Sequence, residues 1–103
     1  MQVSRHAGEL DKAQNIALAV IRRCVPDRAY RVFLFGSRAS GSAREGSDID
    51  IGIEGPQPLS YEVLARIRGD LEEAPTLYSF DIVDFARVPA KFRTVARERV
   101  PMG

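Results

Sequence analysis

The chain has 103 residues, of which 45% are hydrophobic and 28% are charged, and its formal net charge is +1. These values are typical of one globular domain spanning 1–103 and exclude wholesale disorder. The near-neutral charge argues against a nucleic-acid coat, so direct nucleic-acid binding is not expected. The single cysteine, Cys24, excludes an intramolecular disulfide, and the single histidine, His6, argues against a catalytic triad or a zinc site.

The sequence shows no segment typical of a signal peptide or of a membrane-spanning helix. The first residues contain no apolar run of the kind found in a signal peptide, and no stretch approaches 18 consecutive apolar residues. The sequence therefore predicts a cytoplasmic protein that does not span a membrane.

The first half of the chain reads as a helix followed by two strands. Apolar spacing predicts a helix over 9–24 that ends before Pro26, with an inward stripe of Leu10, Ala13, Ala17, Val20, Ile21 and Cys24. A β-branched and aromatic run predicts a strand over 30–35. Residues 36–47 hold three glycines and four serines and are expected to form a loop or short helix. Polar and apolar residues alternate over 48–53, which is typical of a strand.

The second half continues with a helix, a strand and a last helix. Ser60 is suited to cap a helix over 61–74, and residues 77–85 read as a third strand. Pro89 suits the first turn of a final helix, which is expected to bury Phe92, Val95 and Ala96. The pattern predicts an α+β fold, with a small sheet of at least three strands covered by helices on one face.

Two aspartates carry the clearest chemical signal. Asp48 and Asp50 are two residues apart on a predicted strand, so both side chains leave the same face. Clustered carboxylate oxygens are ligands that Mg²⁺ takes from a protein, and paired carboxylates can bridge two such ions. Alternating strands also produce polar faces without any function, and this alternative stays open for the pair considered alone.

A glycine–serine pair supplies a complementary feature. Gly36 lacks a Cβ and would let the backbone approach a phosphate closely. If the residues from Ser37 opened a short helix, their free N–H groups would attract an anion, and Arg38 could add a charged fork. Ser37 could instead be a turn or helix cap, and Arg38 a solvated side chain. Ser42 stands where a P-loop requires lysine, so this is not a Walker A motif.

A third carboxylate is expected from the last strand. Asp81 and Asp84 are three residues apart and point to opposite faces, so only one of them can join the site. Alternation alone does not say which. Ser47 could contact a phosphate or act as a cap.

The combination of these motifs resembles a known family. A Gly-Ser pair, ten residues, Asp-x-Asp and an aspartate in a later strand are similar to the nucleotidyltransferase superfamily typified by DNA polymerase β. The runs Gly-Ser-Arg-Ala, Ser-Asp-Ile-Asp-Ile and Phe-Asp-Ile-Val-Asp-Phe-Ala closely resemble its minimal nucleotidyltransferases, the MNT group of prokaryotes. The resemblance covers about 10–99 and implies a polymerase β palm-like fold with a mixed sheet.

The resemblance also implies roles for individual residues. Gly36 and Ser37 would hold the triphosphate of ATP or another nucleotide, with Arg38 and Ser47 as further nucleotide contacts. Mg²⁺, as two ions, would be coordinated by the carboxylates of Asp48, Asp50 and Asp81. Asp81 matches the first aspartate of the family's late strand motif and would ligate the second ion or help to deprotonate the acceptor. Asp84 would face away, as a surface or capping residue.

The function implied is transfer of AMP from ATP to a hydroxyl acceptor. Members of the MNT group are often encoded beside a HEPN-domain protein, and such pairs resemble toxin–antitoxin modules. The acceptor would then be a tyrosine of the HEPN toxin, and this chain would be the antitoxin. Two alternatives stay open: an antitoxin that acts by contact alone, and a subunit that adds nucleotides to small molecules or antibiotics. The motifs leave the acceptor, the nucleotide base and the oligomeric state undetermined.

Overall fold

The computed structural model describes residues 5–36, 48–95 and 98–103. In chain order, the described elements are α1 (Arg5–Cys24), β1 (Arg31–Leu34), β2 (Ile49–Glu54), α2 (Tyr61–Glu72), β3 (Phe80–Asp84), α3 (Ala90–Val95) and β4 (Val100–Pro101). The strands within these ranges form one sheet in the order β3-β2-β1-β4. β1 runs antiparallel to β2 and β4, whereas β2 and β3 are parallel. The predicted α+β fold with a small mixed sheet is confirmed.

The main core lies between one face of the sheet and the two long helices. The apolar residues of β2 alternate as predicted, and Ile49, Ile51 and Ile53 are fully buried. They pack with apolar stripes of α1 and α2, whose buried members are Ala13, Ala17, Val20, Ile21, Leu64, Ile67 and Leu71. Complete burial of an isoleucine contributes roughly 1.5–3 kcal/mol, so this contact anchors β2 firmly. The prediction that helices cover one face is confirmed by α1 and α2.

Helix α2 connects the parallel strands β2 and β3. The Ser60 hydroxyl accepts a hydrogen bond from the backbone N–H of Val63 at 3.1 Å, which confirms the predicted N-cap. The helix ends at Glu72, two residues before the predicted end. The Glu73 N–H donates to the Gly69 carbonyl at 3.3 Å and so completes the last turn.

The opposite face of the sheet carries an aromatic cluster. Phe33, Phe35 and Phe85 are buried there, and their rings meet edge to face, with centroids 4.9 Å apart for Phe33 and Phe85. Phe92 of α3 contacts this cluster but is 38% exposed, so the prediction that it is buried is wrong. α3 covers only the margin of the cluster. The expected burial of Val95 and Ala96 falls outside the described side chains.

Further differences from the sequence prediction concern α1, β3 and β4. α1 begins at Arg5, four residues earlier, because its apolar stripe becomes visible only from Leu10. β3 begins at Phe80, three residues later than predicted, and Leu77 is fully exposed. β4 was not predicted, because it has two residues and one of them is Pro101. Proline is compatible with this position because β4 is the edge strand.

Candidate active site

The candidate site lies at one end of the sheet, where β1 ends and β2 and β3 begin. Phe35 continues β1, and its N–H donates to the carbonyl of Asp50 at 3.1 Å. Gly36 follows with a φ of +70°, in the left-handed region that favours glycine. The chain therefore leaves the sheet at Gly36, directly beside the first residues of β2.

Gly36 lies against the side chain of Asp50. A Cβ added at Gly36 would overlap Oδ2 of Asp50 and would lie 3.2 Å from its Cγ. Both the positive φ and the close approach therefore require a residue without a side chain. The predicted close approach of Gly36 to a phosphate stays a prediction, since the group beside Gly36 in the structure is the Asp50 carboxylate.

The register between β2 and β3 brings two of the predicted aspartates together. Asp50 and Asp81 are direct partners in the parallel pair, where neighbouring strands lie about 4.8 Å apart. Partners at the same register point to the same face, which is also the face of Gly52 and the aromatic cluster. Asp50 is half-buried and Asp81 is exposed. The structure thus places Asp81, and not Asp84, beside Asp50.

Asp48 directly precedes β2 and is exposed. Two residues before Asp50, it is expected on the same face by strand alternation. Within the described ranges, no hydrogen bond or ion pair joins the carboxylate of Asp48 or Asp81 to another residue. These two carboxylates are therefore open to solvent and available to a cation.

The carboxylates at the candidate site are ligands of the kind that Mg²⁺ prefers. Magnesium prefers hard oxygen ligands, and it is usually bound by one or two carboxylates together with waters and substrate phosphates. Within 5–36, 48–95 and 98–103, no three acidic, histidine or cysteine side chains already converge into a group that could hold a metal ion. The predicted trio of Asp48, Asp50 and Asp81 is therefore not assembled as a three-ligand group, whereas Asp50 and Asp81 are adjacent.

The remaining predicted nucleotide contacts are Ser37, Arg38 and Ser47, and they lie outside the described residues. The stretch 37–47 separates Gly36 from Asp48. Both flanks of this stretch meet at the same end of the sheet, because β1 and β2 are antiparallel neighbours. The connection between them therefore begins and ends beside the aspartates.

Asp84 has a structural role. It is 5% exposed, and its two carboxylate oxygens accept hydrogen bonds from the N–H groups of Leu59 at 2.8 Å and Ala86 at 3.0 Å. The Nε of Arg87 lies 3.5 Å from Oδ2 of the same carboxylate. The expectation that Asp84 faces away and caps backbone groups is confirmed, whereas a place on the surface is wrong. It ties the loop before α2 to the end of β3.

Sequence reasoning missed two features of the sheet. Arg99 stacks over Phe33 at 4.4 Å and Phe85 at 4.8 Å, and its guanidinium pairs with Glu54 at 2.8 Å. A groove beside Asp81 runs along the outer edge of β3. No motif marks either feature, because each depends on residues that are distant in the chain.

Comparison with known protein families identifies the family of this chain. The family model described as polymerase beta nucleotidyltransferase matches residues 26–99, which include all the described residues of the candidate site. The chain belongs to this family. The resemblance predicted from the motifs is confirmed, and so is the assignment of the chain as a nucleotidyltransferase.

Individual relatives extend the comparison. The chain is 30% identical over 89 residues to a Haemophilus influenzae protein named probable protein adenylyltransferase MntA, a match that covers 84% of this chain and 76% of that protein. A solved structure assigned as a minimal nucleotidyltransferase is 31% identical, with a TM-score of 0.68, covering 90% of this chain and 95% of the other.

Solved toxin–antitoxin complexes share the same fold. One, described as a toxin–antitoxin with AMP-PNP, is 22% identical, with a TM-score of 0.68 over 87% of this chain and 72% of that one. Another is described as a tri-AMPylated HEPN toxin of Shewanella oneidensis in complex with its MNT antitoxin. It is 19% identical, with a TM-score of 0.64 over 90% of this chain and 71% of that one.

The described helices are too short or too polar to cross a membrane.

Proposed function

We propose that this chain is an Mg²⁺-dependent protein adenylyltransferase that transfers AMP from ATP to a tyrosine hydroxyl of a HEPN-domain toxin and so acts as its antitoxin. The observation that carries the proposal is that Gly36 just after β1, Asp50 on β2 and Asp81 on β3 lie side by side at one end of the sheet. The name of the Haemophilus influenzae relative and the descriptions of the two complexes supply the nucleotide and the partner.

The residues have distinct roles in this proposal. Asp48 and Asp50 would hold Mg²⁺, and Asp81 would either help to hold a second ion or take up the acceptor proton. Gly36 and Ser37 receive the triphosphate, and Arg38 and Ser47 add contacts to it. When bound, Mg²⁺ neutralises charge on the phosphates and so favours departure of pyrophosphate.

The proposed reaction balances without a covalent enzyme intermediate. The tyrosine oxygen forms a bond to the α-phosphorus, while the bond from that phosphorus to the oxygen bridging the β-phosphate breaks. The hydroxyl proton passes to the Asp81 carboxylate or to water, and pyrophosphate leaves with the electron pair. This chemistry needs neither thiol nor imidazole, which agrees with a chain that has one cysteine and one histidine.

A labelling experiment tests the proposal. The chain is incubated with ATP labelled at the α-phosphate, Mg²⁺ and the HEPN-domain protein encoded by the neighbouring gene, and label on that protein is measured. We expect the double variant Asp48→Asn, Asp50→Asn to lower the rate at least 1,000-fold, on the scale of losing electrostatic stabilisation at more than one position. The matched control is Asp11→Asn with Asp70→Asn, which removes two carboxylates elsewhere on the surface.

Two outcomes would contradict the proposal. Absence of label on the partner with the unaltered chain excludes it as the acceptor. Full rescue of cell growth from the toxin by the double Asn variant shows that contact, and not nucleotide transfer, neutralises the toxin.

A further inference from the structure

A cavity of about 380 Å³ lies at the end of the sheet opposite the candidate active site. It is lined by the first residues of β1, by the turn before them and by the segment around β4. Arg31 of β1 lines the cavity, whereas Gly36 lies just after the other end of the same strand. Five residues of extended strand separate the two, which corresponds to roughly 16 Å. A ligand in this cavity is therefore not the triphosphate of the proposed reaction.

Four guanidinium groups line the cavity, and no carboxylate side chain of the described residues lines it with them. The four belong to Arg22, Arg28, Arg31 and Arg99. Arg28 and Arg31 are exposed, and neither side chain forms a hydrogen bond or an ion pair with another residue of the described ranges. The N–H donors of these two side chains are therefore available to a ligand.

The other two guanidinium groups are held in place by the fold. Arg22 donates to the carbonyls of Tyr30 at 2.9 Å and Gly103 at 2.7 Å. Its Nε is buried and has no hydrogen-bond partner among the described residues. Arg99 pairs with Glu54 at 2.8 Å. Because both side chains are already ordered, a ligand attracted by them does not have to immobilise them.

Two carboxylates near the cavity offset only half of its charge. Glu54 pairs with Arg99, and the carboxylate of Asp27 accepts a backbone N–H in the turn before β1. Four guanidinium groups against two carboxylates leave an excess of two positive charges. Burial, and secondly the charge of Arg28, lowers the pKa of the Arg22 guanidinium, so the cations lie close enough to repel one another. An anion bound between them would relieve this repulsion.

The size of this excess favours a phosphate monoester. Such a group carries a charge of about −1.5 to −2 at pH 7, whereas a carboxylate or a phosphate diester carries only one negative charge. Guanidinium forks bind phosphate oxygens through paired N–H donors. The charge of the cavity and the geometry of its side chains therefore match the same ligand group.

The cavity also has room for an apolar or flat group attached to the phosphate. Its volume is within the range of small-ligand pockets. Val32, Phe33 and Pro101 form apolar walls beside the half-buried side chain of Tyr30. A nucleoside combines a flat ring with a position for the phosphate, so a nucleoside monophosphate has the required chemistry.

We propose that this cavity is a second phosphate site, which binds the terminal phosphate of a nucleoside monophosphate, either as a free nucleotide or at the 5′ end of an RNA. Arg28 and Arg31 donate to the phosphate oxygens, and the fixed charges of Arg22 and Arg99 strengthen the attraction. The nucleoside lies against the apolar walls. The site goes beyond the proposed function and does not depend on it, since the cavity shares no residue with the candidate active site.

Binding is measured by isothermal titration calorimetry in EDTA, which removes Mg²⁺ from the candidate active site. The probes are AMP, adenosine, benzoate, and a hexauridylate RNA with and without a 5′-phosphate. The test variant is Arg28→Gln with Arg31→Gln, at two exposed positions. The matched control, Lys12→Gln with Arg66→Gln, removes the same charge at exposed positions that do not line the cavity.

We expect AMP to bind with a Kd below about 1 mM, and adenosine and benzoate to bind at least tenfold more weakly. The test variant should weaken AMP binding at least tenfold, because it removes two charge-assisted contacts, whereas the control should stay within about twofold. Tighter binding of the 5′-phosphorylated RNA than of AMP identifies the ligand as an RNA end, and equal or weaker binding identifies it as a free nucleotide.

Several results would overturn this second phosphate site. Absence of AMP binding, or equal AMP binding by the test variant and the unaltered chain, excludes the cavity as the place where AMP binds. Adenosine, benzoate or the 5′-hydroxyl RNA binding as tightly as the phosphorylated probes excludes recognition of a phosphate monoester, and this comparison requires no variant. Equal losses in the test and control variants show non-specific attraction. Since none of these measurements involves AMP transfer, each result leaves the proposed function intact.

Discussion

At the scale of single residues, the exposure and hydrogen bonding of each aspartate are set by the face of the strand on which it lies. Asp81 and Asp84 belong to the same short strand, yet their surroundings differ. Asp81 is exposed beside Asp50, while Asp84 is buried and accepts hydrogen bonds from two backbone N–H groups. Strand alternation accounts for the difference, because residues three apart face opposite sides. At Gly36, a positive φ and the nearby carboxylate of Asp50 both disfavour any residue with a side chain.

Gly36→Ala is expected to damage both folding and transfer. The new Cβ would be strained at φ +70° and would displace the Asp50 carboxylate, so we expect a loss of about 1–2 kcal/mol in the free energy of unfolding. AMP transfer should fall further than this loss of folded protein explains. Urea denaturation and the labelling assay measure the two effects.

Gly69→Ala is the control for that substitution. Gly69 lies inside α2, and an added Cβ there would meet nothing within 4 Å. Alanine should raise the stability by up to about 1 kcal/mol, because it is a better helix former than glycine. Equal stability of the two alanine variants would show that the contact with Asp50 does not constrain Gly36.

At the scale of elements, β2 presents different chemistry on its two faces. Its isoleucines fill the main core beneath α1 and α2, while Asp50 and Gly52 face the aromatic side. Gly52 lies between the rings of Phe33 and Phe85, and a Cβ there would come within 2.7 Å of Phe85. The glycine therefore allows the aromatic cluster to close directly over the strand that carries Asp50.

Gly52→Ala is expected to destabilise the protein through this cluster. The added methyl group must displace the Phe33 and Phe85 rings, which typically costs about 1–3 kcal/mol in a packed core. Thermal unfolding followed by circular dichroism measures the change. Restoration of much of the lost stability by Phe33→Leu in the Gly52→Ala background would support the steric explanation, whereas additive losses would contradict it.

At the scale of the whole molecule, long-range contacts hold the two ends of the chain to the sheet. Arg22 of α1 donates to the carbonyls of Tyr30 at 2.9 Å and Gly103 at 2.7 Å. Burial, and secondly the charge of Arg28, lowers the pKa of the Arg22 guanidinium. Arg99 likewise joins the segment before β4 to Glu54 and the aromatic cluster. These contacts hold α1, the C-terminal segment and the end of β2 together at the end of the sheet opposite the candidate site.

Binding of ATP with Mg²⁺ should stabilise the whole molecule. A ligand present at about 100 times its Kd adds about 2.7 kcal/mol, which for a domain of this size corresponds to a rise in Tm of roughly 10 °C or more. We expect the rise to disappear in EDTA and in the variant Asp48→Asn, Asp50→Asn. Differential scanning fluorimetry measures it, and an equal rise with ATP in EDTA would contradict a role for the metal.

Local pattern was sufficient to predict most of the fold and the candidate residues. Helical periodicity, strand alternation and the Ser60 cap are short-range properties, and the motif around Gly36, Asp48 and Asp50 lies within 15 consecutive residues. The exposure of Phe92 and the two-residue strand β4 could not be predicted, since both depend on packing against distant residues. The groove beside Asp81 was missed for the same reason.

The sequence by itself determined the family, the helices, the main strands and the candidate acidic residues. These features depend on which residue types occur at short, fixed spacings along the chain. Strand alternation alone did not choose between Asp81 and Asp84; the family resemblance favoured Asp81, and the tertiary structure places Asp81 beside Asp50. The parallel register of β2 and β3 pairs Asp50 with Asp81, and this register is set by which residues of both strands enter the core. Tertiary packing also created the groove, since α2 and the edge of β3 enclose it only after the strands have paired.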